Sequence, residues 1–334
     1  MTKKYDVFAL GNALVDIVTE VDTDFFAKHS VEKGVMTLVD EERQHLLVNA
    51  IELKEENMQS GGSAANTVIG ASQFGADTYY CCKVANDDMG HFFLKDLKAN
   101  GVDSNFEQGG MPDGITGKCL VMTTPDADRT MNTFLGISAT FGPELIDEEA
   151  IKQSHYLYIE GYLVASPTGF EAMKKAKALA EKHGVKTSLT FSDPNMVKFF
   201  KDGMAEVIGD GVDLLFCNED EAFTFTGTDN ISDARDALRK IARTFVITQG
   251  KNGALIFDGD TFIDIEPYKV DAIDSNGAGD MFAGAFLYGI MHRHSYAEAG
   301  KIASLASSKV VSKIGPRLEW HEAKDVLNHL YPED

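Results

Sequence analysis

The sequence is poor in cysteine and in positive charge, and it has no long apolar run. Its four cysteines, Cys81, Cys82, Cys119 and Cys217, form no Cys-x-x-Cys pair. That leaves a zinc site without its usual spacing and points to reduced, mostly buried thiols in a cytoplasmic protein. Cys81 and Cys82 are adjacent, so on a strand they point to opposite faces. No apolar run approaches the ~20 residues needed to span a bilayer. The start, MTKKYDVFAL, lacks a long apolar core and a small-residue cleavage site, and reads as a first strand rather than a signal peptide. Lys and Arg number 31 against 52 Asp and Glu, a formal net charge of −21. A surface that acidic repels nucleic-acid phosphates and anionic membranes, which excludes both as partners. Any anionic ligand then needs a local arrangement of donors.

Several catalytic signatures are missing as well. Gly117-Lys118 resembles the end of a P-loop, but Cys119 stands where Ser or Thr is needed and Pro112 where the first Gly is needed. Gly277-x-Gly279 lacks the third glycine of a dinucleotide-binding turn, because Phe282 occupies that place. No Gly-x-Ser-x-Gly or His-Glu-x-x-His occurs, so a hydrolase reading has no support.

The 334 residues, 44% hydrophobic and 25% charged, suit one large soluble α/β domain with a small appendage. Strands are predicted at His155–Glu160, Lys186–Phe191, Val212–Cys217 and Phe245–Thr248. Helices are predicted at Thr168–His183, near Lys198–Ile208, from Glu219, and at Ser232–Arg243. This alternation builds a mostly parallel sheet with helices on both faces. Two strand pairs break the rhythm: Leu14–Val21 with Gly34–Val39, and Gly117–Thr123 with Thr130–Leu135 around the turn Pro125–Arg129. No helix is expected between the strands of either pair. They are assigned to a small β-sheet beside the main domain, built from segments about 12–40 and 112–138 of a single domain spanning 1–334.

Five places carry candidate chemistry. In Asp274-Ser-Asn-Gly277-Ala-Gly279-Asp280, a glycine-rich turn opens an apolar helix. Unpaired N–H groups at the positive end of a helix dipole make an anion site, and Asp280 places an acceptor beside it. That combination suits phosphoryl transfer, although a helix-capping acid after a loop is the plainer alternative. Ser60-Gly61-Gly62-Ser63-Ala-Ala-Asn66-Thr67 opens another helix; Asn66 is placed to bond a polyol, or the segment is an ordinary capped start. Gly11-Asn12-Ala-Leu-Val-Asp16 puts a carboxylate inside an apolar pattern, either at a sheet rim or bound to a diol. Asn218-Glu219-Asp220-Glu221 follows a strand end, where open α/β sheets bind ligands, and is either a hydrated Mg²⁺ site or a capped acidic first turn. Thr248-Gln-Gly250-Lys-Asn-Gly253 covers a nucleotide or is a plain turn.

Together and in this order, Gly-Asn-Ala-x-x-Asp16, Gly-Gly-Ser-x-x-Asn66, Asn-Glu-x-Glu221 and Gly-Ala-Gly-Asp280 resemble the PfkB/ribokinase-like carbohydrate kinase family over nearly the whole chain. The resemblance implies a Rossmann-like domain with a small β-sheet lid. It also implies transfer of the γ-phosphate of ATP, with Mg²⁺, to a primary hydroxyl. It assigns Asp280 as the catalytic base and Gly277, Ala278 and Gly279 as the anion hole. Asn12, Asp16, Gly61, Gly62, Asn66 and Glu160 would hold the acceptor, with Arg129 closing over the phosphates. Asn218 and Glu221 would serve the Mg-phosphate region, Glu221 through water, and Thr248, Gly250 and Gly253 the nucleotide. Asp274 and Asn276 are the candidate K⁺ ligands. Within the family, Gly34–Arg43 and Arg129–Gly136 are most similar to bacterial adenosine kinases, which implies a nucleoside acceptor. A ribose, fructose or ketogluconate-type sugar is the alternative, and a non-catalytic sugar or nucleotide sensor a further one. Asp193-Pro-Asn195 is followed by Met196, Val197 and Lys198, without the arginine many sugar kinases of the family carry there. A monomer or homodimer is expected.

Overall fold

The structure, a computed structural model, describes residues 3–51, 54, 57–106, 110–124 and 129–332, the side chains of Thr23 and Arg129 excepted. The strands are β1 (Tyr5–Leu10), β2 (Leu14–Glu20), β3 (Met36–Leu38), β4 (Met58–Gly61), β5 (Thr78–Cys81), β6 (Val102–Ser104), β7 (Thr116–Thr123), β8 (Arg129–Gly136), β9 (Ser154–Glu160), β10 (Lys186–Thr190), β11 (Val212–Asn218), β12 (Ala242–Thr248), β13 (Ala254–Phe257) and β14 (Phe262–Ile265). Nine of them form a sheet in the order β14-β13-β12-β11-β10-β9-β1-β5-β6. It is parallel from β12 to β6, and β13 and β14 add an antiparallel edge.

The central strands are buried on both sides because both faces are covered, as parallel crossovers require. One face packs on Ser63–Phe74, Ala278–Met291, Tyr296–Val311 and Trp320–Leu330. The other packs on Pro167–Lys182, Pro194–Ile208 and Ile231–Leu238. Cys81 and Cys82 fall into the cores on opposite faces, and all four cysteines are buried thiols outside any disulfide. No helix of the described residues is long and apolar enough to cross a membrane.

The second sheet has the order β3-β8-β7-β2-β4, with β7 and β8 antiparallel as the predicted hairpin requires. Two expectations are corrected here. A helix, Thr23–His29, does separate the first two predicted strands; Asp22 caps it by accepting from the Phe25 N–H. β2 and β3 are not neighbours either: β2 lies between β7 and a strand the sequence did not reveal, β4. The polar residues of β4, Met-Gln-Ser-Gly, carry no apolar alternation, and its pairing with β2 alone makes it a strand. In the large sheet, the helix predicted over Ser232–Arg243 stops at Leu238, and its last residues join β12, where Ala242 pairs with Val212. The turn at 125–128 lies outside the described residues.

Alternation gives the small sheet two unlike faces. Val15, Ile17, Leu120 and Met122 point into the core shared with Leu47 of the helix Glu41–Asn49. Leu14, Asp16, Cys119, Val121, Met131, Thr133 and Leu135, with Met36 and Leu38 on the outer strand, face a cleft.

Candidate active site

The cleft, ≈ 440 Å³ in volume, lies where β1, β9, β10, β11 and β12 end at their carboxyl ends, with the apolar face of the small sheet opposite. That is the ligand position open parallel sheets favour, because the chain leaves the sheet in opposite directions there. Asn12, Glu160, Ser192, Asn218 and Thr248 enter it from those strand ends.

Asp280 is the third residue of the helix Ala278–Met291. Gly277 precedes it with φ 69, and no side chain caps the helix. The amide groups of the first turn therefore face the cleft, and an L side chain at 277 would be strained. Gly277 is also pressed against the C-terminal loop: a Cβ there would sit 2.3 Å from the Pro316 Cβ. The Asp280 carboxylate accepts hydrogen bonds from Ser63 Oγ (2.6 Å) and Asn66 Nδ2 (3.2 Å). The residue keeps some surface on the cleft, but its carboxyl is enclosed by protein. Burial raises its pKa to about 6, against the pull of those two hydrogen bonds and of the Arg317 charge. A carboxylate tuned upward yet ionised at neutral pH suits a general base.

On the acceptor side, Asp16 is 5% exposed on β2, and Gly61 on β4 backs it so closely that a Cβ would sit 2.2 Å from its carboxyl carbon. Gly62 takes φ 100 and packs on the Asn12 carbonyl, 2.1 Å from a notional Cβ. Both glycines thus serve close approach. Glu160 is 1% exposed; it accepts from the Asn12 and Ala64 amides and from Asn12 Nδ2. Burial raises its pKa to about 7. It ties β1 and β9 to the start of the helix Ser63–Phe74, which fixes Asn12 and Gly62 at the cleft.

On the other side, Asn218 and Glu221 form a capping box at the helix Glu219–Thr226. Glu221 accepts from the Asn218 N–H (2.9 Å) and Nδ2 (2.9 Å), and burial raises its pKa to about 7. Both residues line the cleft, as do Thr248, Asn276, Gly277 and Gly279. Asp274 joins the anion turn to the C-terminal loop, accepting from Asn276 N (2.9 Å) and Gly315 N (3.1 Å). Gly250 and Gly253 are not brought to the cleft. Gly250 sits on an exposed turn, and Gly253, at φ 92, is needed because a Cβ would meet the Ile265 carbonyl at 1.9 Å. Arg129 opens β8, and its side chain lies outside the described residues. The sequence reading passed over Ser63 as a contact of Asp280 and missed Arg317, which donates from Nε to Asn66 Oδ1 at 3.0 Å. A basic residue in Gly-Pro-Arg317 carries no local signal of that contact.

Residues 31–323 match the pfkB family carbohydrate kinase pattern. The chain is 27% identical to the adenosine kinase of Saccharomyces cerevisiae over 329 residues, covering 92% of this chain and 95% of that protein. Among solved structures it resembles a probable sugar kinase from Rhizobium etli CFN 42, with 32% identity, a TM-score of 0.88 and coverage of 97% and 98% of the two chains. It also resembles the adenosine kinase of Sinorhizobium meliloti, with 32% identity, a TM-score of 0.87 and coverage of 96% and 99%. Matched across most of its length, with the ordered motifs converging on one cleft, the chain belongs to the pfkB family of carbohydrate kinases.

Proposed function

We propose that this kinase transfers the γ-phosphate of ATP to the 5′-hydroxyl of a nucleoside, adenosine foremost. One observation carries the reading: the Asp280 carboxylate stands on the uncapped first turn of a helix, in a cleft that also holds Asp16 and a largely apolar face of the small sheet. In this reading Asp280 takes the hydroxyl proton, and the amides of Gly277, Ala278 and Gly279 stabilise charge on the moving phosphoryl group. Asp16 and Asn66 hold the ribose hydroxyls. Met36, Leu38, Val121, Met131 and Leu135 offer the apolar surface a purine needs and a free sugar does not. The small sheet acts as the lid, with Arg129 closing over the phosphates.

Mg²⁺ supplies charge neutralisation when bound with ATP. Glu221 would reach it through water, since both its oxygens already accept from Asn218. A K⁺ ion beside Asp274 and Asn276 belongs to the same proposal, as does a cytoplasmic location, which the four buried cysteines, none in a disulfide, support.

The test is ADP formation against adenosine, inosine, guanosine, ribose, fructose and 2-keto-3-deoxygluconate, in K⁺ and in a large organic cation. We expect at least about tenfold higher kcat/KM for adenosine than for any sugar, a gap of about 1.4 kcal/mol that partial burial of a purine face supplies. Preference for a hexose or ribose would sink the nucleoside reading and leave the kinase intact. Equal rates in both cations would remove K⁺. Asp280→Asn should lose at least about a hundredfold in kcat, the lower range for a general base; near-normal turnover would remove Asp280 from that role.

A further inference from the structure

Arg317 lies on the loop between the helices Tyr296–Val311 and Trp320–Leu330, with its side chain 7% exposed. It is not among the residues that line the cleft. Its guanidinium makes three directed contacts to different segments. Nη1 donates to Asp96 Oδ2 (3.0 Å) on the helix Asp88–Ala99, and Nη2 to Ser60 Oγ (3.1 Å) on β4. Nε donates to Asn66 Oδ1 (3.0 Å).

Asp96, which also accepts from the Ser60 N–H at 2.9 Å, balances the buried charge. The contact to Asn66 is therefore not needed for neutralisation. Its effect is on the amide. Asn66 touches two groups of opposite and fixed character: Arg317 Nε, which can only donate, and the Asp280 carboxylate, which when ionised can only accept. With Oδ1 toward Arg317 and Nδ2 toward Asp280, both are satisfied. The flipped amide would set donor against donor and acceptor against acceptor. Arg317 thereby decides which end of Asn66 meets Asp280, and Ser63 holds the other carboxylate oxygen.

We propose that Arg317 is a positioning residue for the reaction: acting through Asn66, it fixes the Asp280 carboxylate beside the amide turn. The loop that carries it supports the turn too, through Gly315 N on Asp274 and Pro316 against Gly277. Base and anion hole are thus set by one short segment, and a displacement of ~1 Å there can lower turnover ~100-fold. The inference rests on Asp280 being the base.

The experiment compares Arg317→Lys, Arg317→Gln and Asn66→Ala with the parent enzyme, in melting temperature, kcat, the KM for ATP and the pH dependence of kcat. Lysine keeps the buried charge opposite Asp96 but has no Nε fork to reach Asn66. Charged groups that act on or respond to Asp280 are Arg317, Glu160 on β9 and Glu221 on the helix Glu219–Thr226, with the phenols of Tyr80, Tyr158 and Tyr162. Of these, only Arg317 is positive, so its charge holds the acid limb down.

Arg317→Lys should fold, keep the KM for ATP within about twofold and lower kcat at least about tenfold. Arg317→Gln should in addition move the acid limb to higher pH. In an Asn66→Ala background, Arg317→Lys should cause less than about a twofold further loss, because the relay is already broken. A folded Arg317→Lys with kcat within about twofold of the parent overturns the proposal, and so does an undiminished effect in the Asn66→Ala background. If neither Arg317 variant folds, Asn66→Ala decides: its acid limb must rise and its kcat must fall, and parent-like values overturn the relay. Activity of Asp280→Asn separates the two readings. An active variant removes the base itself, whereas an inactive one beside a normal Arg317→Lys removes only the positioning role.

Discussion

Gly279→Ala separates the chemical role of the amide turn from its structural role. Gly279 is the second residue of its helix and has an ordinary φ, and a Cβ built on it meets nothing within 4 Å. The folded protein therefore has room for the methyl group. Alanine is favoured over glycine in a helix by up to ~1 kcal/mol, less near an end. With ~2 cal/mol/K of unfolding entropy per residue, 1 kcal/mol moves the melting temperature of a 334-residue chain by only ~1.5 °C. Differential scanning calorimetry should then show a melting temperature unchanged or up by about that amount. The open space is the cleft itself, beside the amides proposed to receive the phosphoryl group. A methyl group there must displace the phosphate by about 1 Å, enough for a loss of ~100-fold in kcat/KM. Stable protein with parent activity would refute the placement of the phosphoryl group at this turn. Gly277→Ala is the contrast, since φ 69 and the Pro316 contact should lower both stability and turnover.

Two further outcomes follow from the buried carboxylates. Asp16→Ala should raise the acceptor KM by the equivalent of about 1–3 kcal/mol with little change in the KM for ATP, as for lost hydrogen bonds to a charged group; an unchanged acceptor KM would make Asp16 structural. Glu160 and Glu221 have folded pKa values raised from 4.5 to about 7. Each favours the protonated folded state, so its stabilising effect is full below about 4.5 and is lost as pH rises through about 7. The melting temperature should fall between pH 6 and pH 8, and Glu221→Gln, which cannot ionise, should flatten that slope whatever its absolute stability. A steeper or unchanged slope would show that Glu221 is ionised in the fold near neutral pH.

Much of the large sheet was legible because its signals are local. Val212–Asn218 is a largely apolar run of strand length between helical periods, and such a run reports burial directly. The hairpin β7–β8 was legible for the same reason. β4 was not, since Met-Gln-Ser-Gly has no pattern of its own and becomes a strand only by pairing with β2. The helix after Ile231 was read too long because Arg239-Lys-Ile-Ala242 suits a helix, and the ladder with Val212 overrides that preference.

At the site, glycine-rich turns marked Asp280 and Asn66 and a carboxylate inside an apolar pattern marked Asp16, each beside a plainer alternative, while Glu160 was assigned through the family resemblance alone. Their roles toward one another were not in the sequence. Gly253 looked like the other glycines, and only the Ile265 carbonyl at its back shows why no side chain fits there. Ser63 reaches Asp280 across 217 residues, and Arg317 reaches Asn66 across 251. Hydrogen bonds act over about 3 Å of space, so the sequence by itself determined which groups are candidates for the chemistry and where most strands and helices of the large sheet run. Only the closing of the chain on itself decided which donor faces which acceptor.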